Sequence, residues 1–239
     1  MNLRSFALSD IGRVRVENED SWLCDDQHRL YAVADGIGGL PEGAQASQMA
    51  IAALREYMES LADPAAVDYR DCLNEVNDRV FLLGQIVSAR HGIGTTLTGV
   101  HAVNGHLHVV HVGDSALLRI RGGEIRYLTS DHTVENELRS RAPTGSMPAI
   151  ILAEHRNALT RCVGQPPPIL GEFTTFDLLP GDRYLLCTDG VSRALTLADI
   201  ARLTREAPDP ETCVRQLIDL ANVNGGFDNA TVVALFADN

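Results

Sequence analysis

The 239-residue sequence lacks the features that mark several large classes of protein. Its five cysteines are scattered singly with no Cys-x-x-Cys pair, which argues against both a disulfide framework and a zinc site. No apolar run approaches the ~20 residues that span a bilayer, and the N-terminal residues contain no signal-peptide core. The expected location is therefore cytoplasmic, with no membrane partner.

Positive charge is also scarce in this chain. Lysine and arginine together number 20 against 32 acidic residues, which gives a formal net charge of −12. Because no basic face is available to neutralise phosphates, nucleic acid is not an expected partner. A hydrophobic fraction of 45% is ordinary for a globular protein and excludes wholesale disorder. The acidic balance suits a protein that binds cations, although a merely soluble acidic surface gives the same charge.

No linker, charge block or repeat divides the sequence, so we predict a single domain over residues 1–239, long enough for a catalytic domain. Short β-type runs alternate with turn signals, of which Asn104-Gly105 is the strongest. The predicted strands are Arg4–Leu8, Ser21–Cys24, Leu30–Ala34, Thr95–Val103, His106–Val112, Leu117–Ile120, Glu124–Thr129, Glu172–Leu178, Tyr184–Thr188 and Ala230–Phe236.

Helical patterns arrive in two pairs. The first helix follows Pro41, and the second carries an apolar stripe from Tyr69 to Val87. Two later helices begin at the capping residues Thr196 and Asp209. Residues 134–156 predict a short helix and a flap-like excursion. Hairpin-linked strands with paired helices predict an α+β fold, an α-β-β-α sandwich of two antiparallel sheets flanked by helix pairs.

Four aspartates share one sequence context, namely Asp35, Asp114, Asp189 and Asp228. Each lies at the end of a buried-looking strand with a glycine nearby. An unpaired carboxylate costs several kcal/mol when it is desolvated, so four could gather at one sheet edge only with a compensating cation. All-oxygen ligation favours hard ions such as Mg²⁺, Mn²⁺ or Ca²⁺. A single Asp-Gly is more often a turn, so this pattern alone indicates a carboxylate metal site and no particular activity.

Four histidines on neighbouring predicted strands offer a different metal reading. They are His101, His106, His108 and His111. No third ligand with suitable spacing accompanies His106 and His108, so we interpret these residues as exposed strand histidines.

Eight short motifs, in this order along nearly the whole chain, resemble those of the PPM family of metal-dependent, type-2C Ser/Thr protein phosphatases in a compact, bacterial-like form. Each motif is weak alone, but their order and spacing together are specific. The motifs occupy residues 10–20 (DIGRVRVENED), 33–39 (VADGIGG), 94–96 (GTT), 112–115 (VGDS), 128–132 (LTSDH), 159–161 (LTR), 186–190 (LCTDG) and 228–229 (DN).

The resemblance implies a metal site that hydrolyses phosphoserine and phosphothreonine by direct attack of a metal-bridging water. In such a site Asp35 bridges two ions of Mn²⁺ or Mg²⁺, and the backbone carbonyl of Gly36 binds one of them. Asp189 and Asp228 ligate the other ion. The implied substrates are phosphorylated proteins, the products of a Ser/Thr protein kinase, and the implied form is a monomer.

The remaining roles also come from the resemblance. Asp20, with Glu19 behind it, holds the second ion or its waters, and Asp114 together with Asp189 matches the position of a third ion. Arg15 grips the substrate phosphate, a task that suits its planar fork of donors. The alternative for Arg15 is a surface ion pair with a neighbouring glutamate.

Two positions depart from the family pattern. Ile37 replaces a histidine proposed elsewhere in the family as general acid, and Ala116 replaces an arginine that commonly follows Gly-Asp-Ser. Two other functions stay open at this point. One is a non-catalytic regulatory module of the same fold. The other is a phosphatase that acts on one dedicated phosphoprotein or on a small phosphorylated molecule.

Overall fold

The structure, a computed structural model, describes residues 2–37, 42–141 and 155–238. In chain order its strands are β1 (Asn2–Asp10), β2 (Asp20–Asp25), β3 (Leu30–Asp35), β4 (Leu97–Val103), β5 (His106–Val112), β6 (Ala116–Arg121), β7 (Glu124–Tyr127), β8 (Glu172–Asp177), β9 (Arg183–Cys187) and β10 (Ala230–Asp238). Its helices are α1 (Gly43–Glu59), α2 (Tyr69–Val87), α3 (Val134–Arg141), α4 (Asp189–Ser192), α5 (Leu197–Glu206) and α6 (Pro210–Val223), with a short 3₁₀ helix at Pro64–Ala66.

The strands form two five-stranded sheets in which every pairing is antiparallel. The first sheet has the order β1-β10-β9-β6-β7, and the second has the order β2-β3-β4-β5-β8. Chain-sequential neighbours such as β2-β3 and β4-β5 pair directly, as expected for hairpins. The strands β1 and β10 are far apart in the chain but pair over nine residues, and β1 forms one edge of the first sheet.

Three apolar layers hold the two sheets and the helices together. Alternate residues of β3 explain the arrangement, because Ala32 packs toward α1 and α2 while Tyr31 and Val33 pack toward the other sheet. A third layer joins the first sheet to α5 and α6 through residues such as Leu185 and Leu217. The predicted α-β-β-α sandwich is therefore confirmed, and the near-continuous apolar runs of its central strands follow from burial on both faces.

Helix starts agree with their capping signals. The Thr196 hydroxyl accepts a hydrogen bond from the Asp199 N–H at 3.1 Å, and the Asp209 carboxylate accepts one from the Thr212 N–H at 2.7 Å. The short helix predicted within 134–156 is α3. Residues 142–154, which carry the rest of that excursion, lie outside the described residues, as do residues 38–41. Among the described residues no helix is long and apolar enough to cross a membrane.

The interpretation of the strand histidines as exposed is wrong for two of the four. His101 and His111 are buried, because β4 and β5 are covered on both faces. The Nδ1 atom of His101 lies 2.9 Å from the Tyr69 hydroxyl, and that of His111 lies 2.9 Å from the Thr98 hydroxyl. Burial lowers the pKa of His101 to about 4 and that of His111 to about 3, so both are neutral core residues at physiological pH. His106 is exposed, as expected, and His108 is half-buried.

Candidate active site

Strand ends from both sheets meet at one edge of the sandwich and form a cleft. Asp35 is the last residue of β3, Asp114 follows β5, Asp189 begins α4 directly after β9, and Asp228 precedes β10. All four line the same cleft, and Arg15 lines it too. Second-sheet and first-sheet carboxylates are thus brought together by the stacking of the two sheets, which places residues far apart in sequence around one space.

Asp20 lies beneath this cleft and is 8% exposed. It is the first residue of β2 and pairs with Asp35 in the β2–β3 register. Its Oδ2 atom accepts hydrogen bonds from the hydroxyls of Thr188 at 2.8 Å and Thr231 at 2.6 Å. Its Oδ1 atom is buried and has no hydrogen-bond partner among the described residues. An orphaned carboxylate oxygen beside other carboxylates is the environment that a cation would complete.

The electrostatics of the cleft point the same way. Burial raises the pKa of Asp20 to about 7, against the opposing effect of its two threonine hydrogen bonds. Burial, and after it the charge of Asp189, raises the pKa of Asp114 to about 7. Burial and repulsion from its aspartate neighbours raise the pKa of Asp35 well above its usual range. The protein therefore concentrates more negative charge than its own cations balance.

The backbone around Asp35 is fixed by a close approach of two loops. The Asp35 N–H donates to the Thr96 hydroxyl at 2.9 Å, and the Thr96 N–H donates to the Asp35 carbonyl at 2.8 Å. A Cβ atom at Gly36 would lie 2.4 Å from the Gly43 carbonyl oxygen and 2.9 Å from that of Glu19. Only glycine fits at position 36, since both obstacles are backbone atoms.

Arg15 and Glu19 sit on the loop between β1 and β2. The Arg15 Nη2 atom lies 2.8 Å from Oδ2 of Asp228, and its Nη1 atom lies 3.9 Å from Oε2 of Glu19. Burial raises the pKa of Glu19. The Arg15 side chain remains 39% exposed, so its guanidinium stands at the mouth of the cleft with donors left for a ligand.

Asn229 holds this loop against β10. Its Nδ2 atom donates to the carbonyls of Ile11 and Glu17, both at 3.0 Å, and its Oδ1 atom accepts from the Glu19 N–H at 2.9 Å. The sequence motif contained Asn229, but its role as a brace for the loop is visible only in the structure. All three of its polar contacts are long-range in sequence, so local patterns carry no signal for them.

A family profile described as "Protein phosphatase 2C" matches residues 13–220. The chain belongs to the protein phosphatase 2C family. This membership confirms the family, the fold and the protein phosphatase activity that the sequence motifs predicted.

Individual relatives of this chain are named as protein phosphatases, some of them as Ser/Thr protein phosphatases. The chain is 34% identical over 239 residues to the Ser/Thr protein phosphatase PstP of Mycobacterium tuberculosis, covering 97% of this chain and 44% of PstP. It is 31% identical over 242 residues to the protein phosphatase PhpP of Streptococcus pneumoniae, covering 94% of each. It superposes on the catalytic domain of PstP in complex with two manganese ions with a TM-score of 0.82 and 33% identity, over 99% of each chain.

Several residues at this 2C-type site were missed by sequence reasoning. Thr188 and Thr231 hold Asp20, and Arg193 contacts two of the aspartates. The i, i+4 spacing of Asp189 and Arg193 is a usable signal for a helical ion pair. Nothing local links Thr231 to Asp20, which precedes it by 211 residues.

The two departures from the family pattern have clear structural settings. Ile37 lines the cleft with an apolar side chain, and its N–H donates to the Gly94 carbonyl at 3.0 Å. Ala116 is 1% exposed and packs in the apolar layer between the first sheet and the helices α5 and α6. A side chain at position 116 is thus a core residue here, remote from an ion-pairing role.

The crowded carboxylates predict an unusual pH dependence of stability for the metal-free protein. Because the pKa values of Asp20 and Asp114 are raised to about 7, the folded state retains protons that the unfolded state releases. Their contribution is fully present below the unfolded carboxyl pKa, decreases above it, and is lost as pH rises through about 7. We expect the Tm of chelated protein to fall by several degrees between about pH 5.5 and about pH 8.

Circular dichroism melts with chelator, and with Mn²⁺ in place of chelator, would test this. With Mn²⁺ the decline should vanish, because a bound cation favours the ionised carboxylates. A flat Tm profile for the chelated protein would show that the cleft carboxylates are not crowded in solution.

Proposed function

We propose that this chain hydrolyses phosphoserine and phosphothreonine in proteins, using Mn²⁺ or Mg²⁺ held by the aspartates of the cleft. The observation that carries the proposal is the convergence of Asp35, Asp189 and Asp228 from both sheets on one cleft beside Arg15, with Asp20 opposite Asp35 in the β2–β3 register. Because each sheet supplies part of the ligand set, we propose that residues 1–239 act as one catalytic domain, as a monomer.

The donor set fits divalent ions. The carboxylates are buried or half-buried, one buried oxygen of Asp20 lacks a partner among the described residues, and every side-chain donor is an oxygen. The PstP catalytic domain, similar to this chain, was solved with two manganese ions. When bound, such ions supply Lewis acidity that activates water and offsets charge on the phosphate oxygens.

The residue roles follow from position. The charges of Asp20, Asp189, Asp114 and Asp228 all act on Asp35, so we propose that Asp35 would contribute to holding both ions, with the Gly36 carbonyl beside it. Asp189 and Asp228 come from the first sheet and would hold the ion on that side. Asp20 and the loop residue Glu19 would hold the ion on the other side, directly or through water.

A third ion is a further prediction from the family resemblance, with Asp114 and Asp189 as its carboxylates. In this structure both of those carboxylates contact the Arg193 guanidinium. The positive charge of Arg193 therefore lies where the family resemblance predicts the third ion.

A non-catalytic regulatory module is less well supported. Retaining buried carboxylates with raised pKa values costs stability unless an ion or a reaction needs them. A binding module would gain by replacing some of them with neutral residues.

Arg15 is assigned to the substrate phosphate, and its replacement by Ala tests that role. A charge-assisted contact contributes about 1.5–3 kcal/mol, so we expect kcat/KM to fall roughly ten- to a hundredfold in Arg15→Ala. Manganese affinity should change far less, because the carboxylates remain. Steady-state kinetics and calorimetric Mn²⁺ titration would measure the two effects separately.

Arg126→Ala is the matched control for this variant. Arg126 is an exposed arginine of the β6–β7 hairpin that pairs with Glu124 at 3.1 Å, away from the cleft. Its loss should leave kcat/KM unchanged. If Arg15→Ala behaved like Arg126→Ala, Arg15 would be a surface arginine engaged only with Asp228 and Glu19.

The substrate class is tested with phosphopeptides. We expect Mn²⁺-dependent release of phosphate from phosphoserine and phosphothreonine peptides as well as from p-nitrophenyl phosphate. The products of a Ser/Thr kinase are the expected physiological substrates, so a protein phosphorylated by such a kinase is the next substrate to try. Hydrolysis of p-nitrophenyl phosphate with no activity on any phosphopeptide or phosphoprotein would favour a small phosphorylated substrate instead.

A further inference from the structure

Arg193 forms a bridge between two carboxylates that belong to different sheets. Its Nη1 atom lies 2.7 Å from Oδ2 of Asp189, and its Nη2 atom lies 2.5 Å from Oδ2 of Asp114. The side chain of Asp114 is 8% exposed and that of Asp189 is 16% exposed. The two ends of one guanidinium therefore contact two largely buried carboxylates at once and offset part of their charge.

The backbone that carries Arg193 is held firmly. Its N–H donates to the Asp189 carbonyl at 2.9 Å and closes the single turn of α4. Val191 within that turn is fully buried. A Cβ atom at Gly190 would lie 1.9 Å from the Asn229 carbonyl oxygen, so α4 packs tightly against the start of β10. The tightly packed turn of α4 thus holds the Arg193 backbone next to the carboxylate pair.

The carboxylate pair does not fit a metal ion while Arg193 is in place. An ion between Asp114 and Asp189 would have to compete with the guanidinium for the Oδ2 atom of each carboxylate. It would also stand next to a fixed positive charge, and two cations sharing one pair of oxygens repel each other. Within the described part of the chain Arg193 forms ion pairs with Asp114 and Asp189 but with none of Asp20, Asp35 and Asp228, so the carboxylates assigned to the two other ions are not occupied by this guanidinium.

We propose that the Arg193 guanidinium is the resident cation of the Asp114–Asp189 pair and takes the place of a third metal ion, so that this chain binds two ions. The inference rests on the proposed metal-dependent function and deepens it. An arginine keeps its charge at all physiological pH values and cannot dissociate. One of the two negative charges of the Asp114–Asp189 pair is therefore offset whatever the supply of divalent metal.

Counting bound ions tests the proposal without relying on activity. The full chain would be stripped with chelator and dialysed against millimolar Mn²⁺, and the bound metal would be measured by elemental analysis. We expect two ions per chain for the wild type and three for Arg193→Ala, the third being the weakest. Arg193→Lys, which restores a positive charge, should return the count to two.

Two further variants make the result specific. Asp114→Asn in the Arg193→Ala background should lose the third ion again, which locates it at this pair. Arg215→Ala removes an exposed arginine that pairs four residues back with Glu211 at 2.8 Å, and it should leave the count at two. Circular dichroism melts of each variant establish that it is folded before ions are counted.

The outcomes separate the inference from the function on which it rests. Three ions in the wild type, with one lost in Asp114→Asn, would overturn the inference and leave the metal-dependent function intact. Two ions in both the wild type and Arg193→Ala would also overturn it. The Asp114–Asp189 pair would then bind no ion even without Arg193, so Arg193 could not be standing in for one. Fewer than two ions in the wild type would overturn the proposed function, and the inference with it.

Discussion

Asp35→Asn is expected to reduce turnover by roughly a thousandfold or more and, at the same time, to stabilise the metal-free protein. Asp35 ends β3 at the centre of the carboxylate group, and burial and repulsion from Asp20 and Asp189 raise its pKa well above the usual range. Asparagine has nearly the same shape but carries no charge. Its introduction removes the proposed bridging ligand and also relieves the repulsion.

The two effects have opposite signs and need separate measurements. Turnover of a phosphothreonine peptide would be measured with saturating Mn²⁺, and thermal unfolding would be followed in chelator above neutral pH. We expect the Tm of the metal-free variant to exceed that of the wild type by several degrees, since about 1 kcal/mol corresponds to about 2–4 °C for a chain of this size.

Asp219→Asn provides the matched control. Asp219 is exposed on α6, so the same chemical change should alter neither turnover nor stability appreciably. Asp35→Asn with wild-type turnover would remove Asp35 from the catalytic site. Asp35→Asn with low turnover but a lowered Tm in chelator would mean that its carboxylate is structurally paired, contrary to the electrostatics described above.

Complete removal of divalent metal is expected to abolish hydrolysis, and Mn²⁺ or Mg²⁺ added back should restore it. The cleft without metal presents Asp35, Asp114, Asp189 and Asp228 to a substrate that is itself a dianion. Arg15 and Arg193 are the arginines that line it, and both are already paired with aspartates. Electrostatics alone therefore disfavour phosphate binding in the metal-free cleft.

The measurement is phosphate release from a phosphopeptide after chelation, with metal loss verified by elemental analysis. Chelator already saturated with the metal serves as the control, because it should not affect activity. Restoration with Mn²⁺ and with Mg²⁺ at equal concentrations would show which ion supports faster turnover. Full activity in protein shown to be free of metal would contradict the proposed function at its base.

Much of the architecture could be predicted from local sequence. Thr196 and Asp209 mark helix starts because a side-chain oxygen satisfies an otherwise unpaired backbone N–H, which is a matter of a few neighbouring residues. Asn104-Gly105 predicts its hairpin for a similar reason, since both residues adopt positive φ. The four aspartates could be grouped because each follows or precedes a buried-looking strand with a glycine nearby. A carboxylate in that setting loses solvation and needs a compensating partner.

The errors arise where burial depends on the neighbouring elements. His101 and His111 were interpreted as exposed strand histidines because no third metal ligand with suitable spacing was found for the histidines of this region. β4 and β5 occupy the middle of the second sheet, with helices on one face and the first sheet on the other. Tyr69 and Thr98 then supply the hydrogen bonds that allow these two histidines to be buried.

The sequence by itself determined the order of elements, the family and the aspartates expected at the cleft, because propensity, capping and motif spacing depend on neighbouring residues. Only the tertiary structure decided which charges compensate one another. Arg193 and Asp114 are separated by 79 residues, and Thr231 and Asp20 by 211, yet each pair is in direct contact. Those contacts form only when the two sheets stack with these strand ends at the same edge. The packing of buried side chains between the sheets sets that alignment.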